Sequence, residues 1–299
     1  MSDNPIQDLA VATASTVIAN HAKDAFYIVM GIWYYTFGYQ WDLNTEKIRA
    51  EHLRNVGEFR NELVVEVNAI APENIQEPKT SLVGPALEAS KFYMDESEIR
   101  QMFARLIATS MDKTRSHKAH HAYVEIIKML SPLDAKNLYY LHMLKDETIC
   151  NRVIMIDGKG EYKILDRHVW LGNPENPNRE SQQVSLENLA RLGLVTITYD
   201  SWSSDENAYQ HHKTHADYLS LDQEIYSKAE QAKKDLVMLK EYNSPIIDDY
   251  GNPIDDDSQR QKTIATIEDM SNCRADLQRG MITMTAFGAN LCEVCLPTV

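Results

Sequence analysis

A mainly α-helical fold with a small β component is predicted by three features of this 299-residue chain. Apolar residues recur at three- and four-residue intervals through most of the first half. Between Arg152 and Leu171 the pattern shortens to VIMI, DGKG and YKIL, the signature of a β-hairpin. Two further β-rich runs, LVTITY at Leu194–Tyr199 and the stretch Met281–Thr285, lie far apart with an acidic segment between them. The length suffices for one large domain or two small ones, each with a real core.

The N-terminal elements come first. Ile6–Asn20 predicts a short helix rich in Ala and Val. Ala25–Trp41 then carries no charge and holds eight aromatic residues, with Trp33, Tyr34 and Tyr35 at its centre. A membrane-spanning helix needs about 20 mostly apolar residues. This run is shorter and is diluted by Tyr, Gln and Thr, so a buried helix or an oligomer contact is expected. Trp and Tyr also favour the headgroup layer, which makes membrane association the alternative role.

Thr45–Ile70 reads as an amphipathic helix, with Ile48, Val56, Phe59, Leu63 and Val67 on one stripe and Pro72 beyond its end. Residues 71–83 read as a loop closing on Gly84-Pro85. Pro85 suits the first turn of the next helix, where its missing N–H costs nothing. Asp95 and Glu98 read as a capping pair for a helix Glu96–Met111 that buries Ile99, Met102, Phe103, Leu106 and Ile107. A polar linker, Asp112–Lys118, precedes a helix His121–Leu130. Ser131-Pro132 opens the next helix, which extends to about Lys145.

In the second half, Asn173–Asn178 is a loop. Ser185 begins a helix that Gly193 stops, and LVTITY follows as a strand. Between Ser201 and Met270 there are 15 acidic and 7 basic residues, a net of −8. That stretch, about 200–276, reads as an acidic insertion: an exposed helix Tyr218–Tyr242, an acidic loop Pro245–Ser258 and a helix Gln259–Asp276. Met281–Thr285 returns as a strand and Ala286–Cys295 is a final helix. The domains expected are therefore a helical region, 1–130, and a winged-helix-like region, 131–299, whose wing is opened by the insertion.

A net charge of −14, without clustered Lys or Arg, disfavours a general nucleic-acid binder. The candidate recognition helix, SLENLARLGL, offers only Asn188 and Arg191 as polar groups able to reach bases. Four cysteines give no disulfide framework, and the first basic residue is Lys23, so a cytoplasmic location is expected.

Motifs for chemistry are sparse. HKAHH (His117, His120, His121) and HHKTH (His211, His212, His215) are histidine-rich, and the second has an i, i+4 spacing. Zinc needs three or four converging ligands, and an HExxH site needs Glu where His212 stands, so no metal is expected. CEVC (Cys292, Cys295) lies among Leu291, Val294 and Leu296, which favours buried thiols over a redox pair. The Asp248–Asp257 loop lacks the ligand spacing of a calcium loop. There is no phosphate loop, GxSxG or Rossmann fingerprint, and no cofactor or small molecule is expected.

Four blocks nevertheless resemble one family. GPALEASKFYMDESEIRQMFARLIATSMD from Gly84, HHAYVEIIKMLSPLDA from His120, SLENLARLGLV at 185–195 and ITMTAFGANLCEVC at 282–295 together look like the bacterial abortive-infection alpha family. The likeness is densest over residues 72–145. It implies a part in defence against phage, and it implies no catalytic residues. In the first block Glu88 sits between Leu87 and Ala89, with Arg100 or Arg105 as its expected ion-pair partner between two helices, or as a shared ligand contact.

The expected function is thus a non-enzymatic defence protein that works by contact with a protein partner or by self-assembly, with a membrane as a further candidate surface. A winged-helix nucleic-acid regulator and a cryptic metal-dependent hydrolase are the alternatives.

Overall fold

The computed structural model describes residues 46–175, 178–241, 244–247, 253, 254 and 256–297, together with 28, 29, 31–33 and 36. The chain divides into two compact units. One comprises Met1–Lys145, Ser185–Val195 and Met284–Val299, and the other Asp146–Val184 and Thr196–Thr283. Mainly helical structure with one small four-stranded sheet is what the periodicities predicted.

The first unit is a helical assembly of α1 (Glu46–Asn68), α2 (Thr80–Ser90), α3 (Ser97–Ser110), α4 (Ala122–Lys128) and α5 (Pro132–Leu144), with the end of α6 (Arg179–Arg191) and α10 (Ala286–Cys295). Its centre is α3, which packs on α1, α2, α4, α5 and α10. That placement follows from sequence: Ile99, Met102, Phe103, Ala104, Leu106, Ile107 and Ala108 bury α3 on nearly every side. Trp33 is buried, with its ring centroid 5.2 Å from that of Phe59 on α1. Tyr34, Tyr35 and the expected helix Ile6–Asn20 lie outside the described residues.

Two helix starts differ from expectation. α2 begins at Thr80, so Pro85 stands inside the helix rather than in its first turn. α3 begins at Ser97 with Glu96 as its uncapped N-cap residue. Asp95 instead accepts a hydrogen bond from the Asn55 amide on α1, a long-range partner that local spacing does not reveal. The expected start of α5 holds. Ser131 Oγ accepts from Asp134 N (3.2 Å), and Asp134 Oδ2 accepts from Ser131 N (2.7 Å), a reciprocal capping box.

The second unit contains β1 (Glu147–Ile156), β2 (Tyr162–Val169), β3 (Val195–Thr198) and β4 (Cys273–Met284), in the order β2-β1-β4-β3. It also holds α7 (Gln210–Thr214), α8 (Ala216–Glu241) and α9 (Asp257–Ser271). β1 pairs antiparallel with both neighbours, and with β4 it runs in unbroken register from Glu147↔Ile282 to Ile156↔Cys273. The predicted DGKG turn joins β1 to β2, with Gly158 and Gly160 at positive φ. Tyr218, Ile225, Ala229 and Ala232 form the buried stripe of α8. Tyr218 and Ile225 join Cys150, Val169, Tyr209, Ala275 and Leu277 in one core. Lys240 and Glu268 link α8 to α9 at 2.7 Å.

The predicted helix Gln259–Asp276 is too long. α9 stops at Ser271, and β4 starts at Cys273, well before Met281. Ala275 and Leu277 point inward while Arg274 is exposed, a two-residue alternation whose charged members read as a helix surface.

Candidate functional site

The second unit carries an irregular stretch where β1 meets β2. Cys150 pairs with Val169 and Arg152 with Asp166, so Asn151 alone faces both Arg167 and His168. A second slip follows between Arg152 and Val153, leaving Leu165 as an extra residue on β2. Such bulges bend a strand and re-aim its side chains. His168 sits at φ 51°, a left-handed conformation that costs a non-glycine residue about 1–2 kcal/mol. It is held there because its N–H donates to Asn151 Oδ1 (2.9 Å), while Asn151 Nδ2 donates to Gln278 Oε1 on β4 (2.8 Å). Its ring stacks on Tyr199 with centroids 5.9 Å apart and Nδ1 2.9 Å from the Tyr199 hydroxyl. Burial pushes the Tyr199 phenol well above its ordinary range, so the hydroxyl keeps its proton.

Beside this bulge lies a four-charge cluster. Arg152 is 1% exposed, and its Nη1 lies 3.4 Å from Asp166 Oδ2 and 3.7 Å from Asp217 Oδ2. Arg179 at the start of α6 shares the same two carboxylates, at 2.9 Å and 3.5 Å. Two guanidinium groups and two carboxylates balance in charge, which is what a buried arginine requires.

A cleft of 210 Å³ opens between these elements. Leu165, Asp166, Arg167, His168 and Val169 line one wall, and Arg179, Glu180, Gln182 and Gln183 of α6 line the other. Pockets for whole small molecules run to about 300–1,000 Å³, so this one suits a single functional group. None of its residues stood out in the sequence. The available signal was the pair of buried polar residues, Asn151 and Arg152, within an apolar strand.

The histidine motifs resolve into local contacts. His212 is buried, with Nε2 3.3 Å from Thr148 Oγ1 and its ring centroid 4.1 Å from that of His211. Burial, with help from His211, pushes its pKa down to about 3. His215 lies past the end of α7 in an extended conformation, so the i, i+4 pair expected with His211 does not share a helix face. Elsewhere, His121 Nε2 lies 3.1 Å from Ser81 Oγ, and His120 Nδ1 accepts from Ala122 N (3.1 Å). Among the described residues, no three His, Cys, Asp or Glu side chains converge as metal ligands. Cys292 and Cys295 are buried free thiols, as their apolar neighbours predicted, and burial raises both pKa values far above ordinary.

The arginines singled out in the sequence are structural in their contacts. Arg100 is buried and bonds Glu62 (2.9 Å), Glu58 (2.9 Å) and the Met94 carbonyl (2.7 Å). Arg105 pairs with Glu66 (2.9 Å). Glu88 is exposed on α2, so the expected pairing with Glu88 is replaced by α1 carboxylates spaced four residues apart, one per helical turn. Arg191 donates from Nε and Nη2 to Asn188 Oδ1, and Asn188 Nδ2 donates to the Met129 carbonyl (2.9 Å) and Asp134 Oδ2 (3.0 Å). Both polar groups proposed for base reading are thereby used inside the first unit.

The blocks that carried the resemblance meet in that unit. Asn188 ties α6 to the capping box of α5. The last turn of α6 closes on Gly193 at φ 70°, with Leu194 N bonding Leu189 O and Gly193 N bonding Ala190 O. Thr285 caps α10 and donates to the Gly193 carbonyl (2.6 Å), and Thr109 on α3 donates to the Val294 carbonyl (3.3 Å).

A family model described as abortive infection alpha matches residues 51–295. No curated protein and no solved structure matches the chain.

Proposed function

Because the chain belongs to the abortive infection alpha family, whose model spans residues 51–295, we propose that it protects a bacterial host from phage through contacts with other proteins or with copies of itself. Family membership is the observation that carries this reading. Its support from geometry is the state of the reactive groups. The buried thiols are held protonated, His212 is held neutral, and the arginines of α3 and α6 are paired within the fold. Those assignments favour a surface that docks over one that breaks bonds, and they favour a chain without a cofactor.

The order α5, hairpin β1–β2, α6, β3, β4 supports a winged-helix-like reading of residues 131–299, with the acidic stretch that precedes Cys273 as an insertion between the neighbouring strands β3 and β4. A winged helix of this charge suits protein docking rather than phosphate. Nucleic-acid regulation is the second reading, favoured by that element order alone, and a salt-dependent mobility shift tests it. Among the described residues no helix is long and apolar enough to cross a membrane, and the aromatic run 25–41 lies mostly outside them.

Light scattering of the purified chain tests the contact mechanism. Alone, with liposomes or with phage lysate, at least one condition should give a complex of discrete, larger mass. A monomer under all three conditions contradicts it.

A further inference from the structure

Helix α8 buries one stripe and leaves another bare. Tyr218, Ile225, Ala229 and Ala232 are its buried side. About 100° round the helix lie Leu219, Tyr226 and Val237, which are 53%, 65% and 46% exposed. They belong to a regular seam. Leu219, Gln223, Tyr226, Glu230, Lys233 and Val237 follow one another at alternating steps of four and three residues, and Lys240 continues the series. That spacing is the one by which two helices wrap along each other. α9 packs on α8 and still leaves these apolar side chains open.

The charges on this face select the occupant. The segment Ser201–Met270 carries a net of −8, yet the face itself is neutral: three acids, Asp222, Glu230 and Glu241, stand with three lysines, Lys233, Lys234 and Lys240. A strongly basic or strongly acidic partner gains nothing there. The order of the charges matters as well. Glu230 precedes the midpoint of the seam, between Gln231 and Ala232, and Lys233 and Lys234 follow it. If a second α8 is turned end for end about that midpoint, each residue meets the one equally far on the other side. Tyr226 then lies level with Val237, Glu230 with Lys233, and Gln223 with Lys240. Parallel copies would instead set Glu230 on Glu230 and Lys233 on Lys233, like charge on like. Within one chain Glu230 Oε1 and Lys233 Nζ lie 2.7 Å apart, and an antiparallel copy completes a ring of alternating charge. Lys240 stays tied to Glu268 of α9, so the electrostatic contact is at the centre.

We propose that two copies of this chain dock through α8, antiparallel and two-fold symmetric, with Tyr226 of each copy against Val237 of the other and Glu230 against Lys233. This rests on the self-contact reading above and names its surface. From Leu219 to Lys240 the seam is about six turns long, at the small end for a specific interface, so the dimer is reversible and of about micromolar affinity.

Sedimentation velocity of the full chain, over about 1–200 μM, decides the matter. The wild-type chain should pass from 34.2 kDa to twice that mass as concentration rises. Glu230→Lys alone and Lys233→Glu alone should each weaken the dimer at least about tenfold, equal to about 1.4 kcal/mol, because each sets like charges face to face. Mixing the two singly substituted chains, or making both exchanges in one chain, should restore it. Tyr226→Ser should weaken the dimer by a similar factor. Thermal melts of the dilute chains should agree, which separates lost docking from lost folding. A wild-type chain that stays monomeric, single exchanges that leave the dimer as it was, or a mixture and a double exchange that fail to recover it each overturn the seam. The first outcome also removes self-contact by the isolated chain, whereas the second leaves self-contact standing without this surface. A dimer that meets every expectation in a chain that gives no phage protection overturns the defence reading and leaves the seam in place.

Discussion

At the scale of single residues, long-range partners decide what each polar group does. Arg100 illustrates this. The sequence suggested Glu88, on the preceding helix, as a partner for Arg100 or Arg105. The partners are Glu58 and Glu62, on the more distant α1. The repeat Glu58, Glu62, Glu66 was visible as one carboxylate per turn, yet nothing local told which face of α1 would meet α3. Asp95 is a similar case, since it looked like a cap and is taken by Asn55.

His212 allows a test at this scale. Its pKa of about 3 in the fold lies below the ordinary 6.5, because burial and the adjacent His211 oppose the charge, as do Arg152 and His215, while Thr148 acts the other way. The unfolded chain therefore takes up a proton that the folded chain refuses. The stability contributed is fully present above about pH 6.5 and falls by about 1.4 kcal/mol per unit as pH drops from there towards 3. Replacing His212 by Gln should flatten this part of the curve. Denaturant melts of both chains from pH 7 to pH 4 measure it, and parallel curves would remove the assignment.

At the scale of elements, apolar period was a reliable guide to helices and a poor one to their ends. α3 and α5 were legible because their buried residues repeat without interruption. β4 was not, because Arg274, Asp276 and Gln278 alternate with its inward residues and resemble the polar face of a helix. Close approaches of backbone were also invisible. A Cβ on Gly288 of α10 would lie 2.1 Å from the Leu194 carbonyl oxygen, so α10 can dock on the end of α6 only with glycine there. Gly288→Ala should cost about 1–3 kcal/mol, as overpacking does, towards the upper end because the obstacle is backbone. Gly57 in α1 has open space around a Cβ, and Gly57→Ala should stabilise by up to about 1 kcal/mol. Thermal melts that rank the two substitutions the other way would contradict this packing.

At the scale of the whole molecule, composition and block order said more than any motif. The charge of −14 and the absence of a reactive motif pointed to contact rather than chemistry, and the four separated blocks pointed to one family. Three of those blocks meet through Asn188, Gly193 and Thr285, which explains why their residues stand together as a set: they hold one helical unit closed. The candidate cleft was illegible for the opposite reason. It depends on a strand bulge and on α6, and neither element carries a sequence signature of binding.

Phage plating on cells that express the chain tests the central claim most directly, with cell survival scored at low and high ratios of phage to cells. The account predicts fewer plaques together with failure of the infected cells to survive, so that the culture is spared only when few cells are infected. Plaque numbers and burst size equal to those of cells lacking the chain, across a broad phage panel, would contradict it.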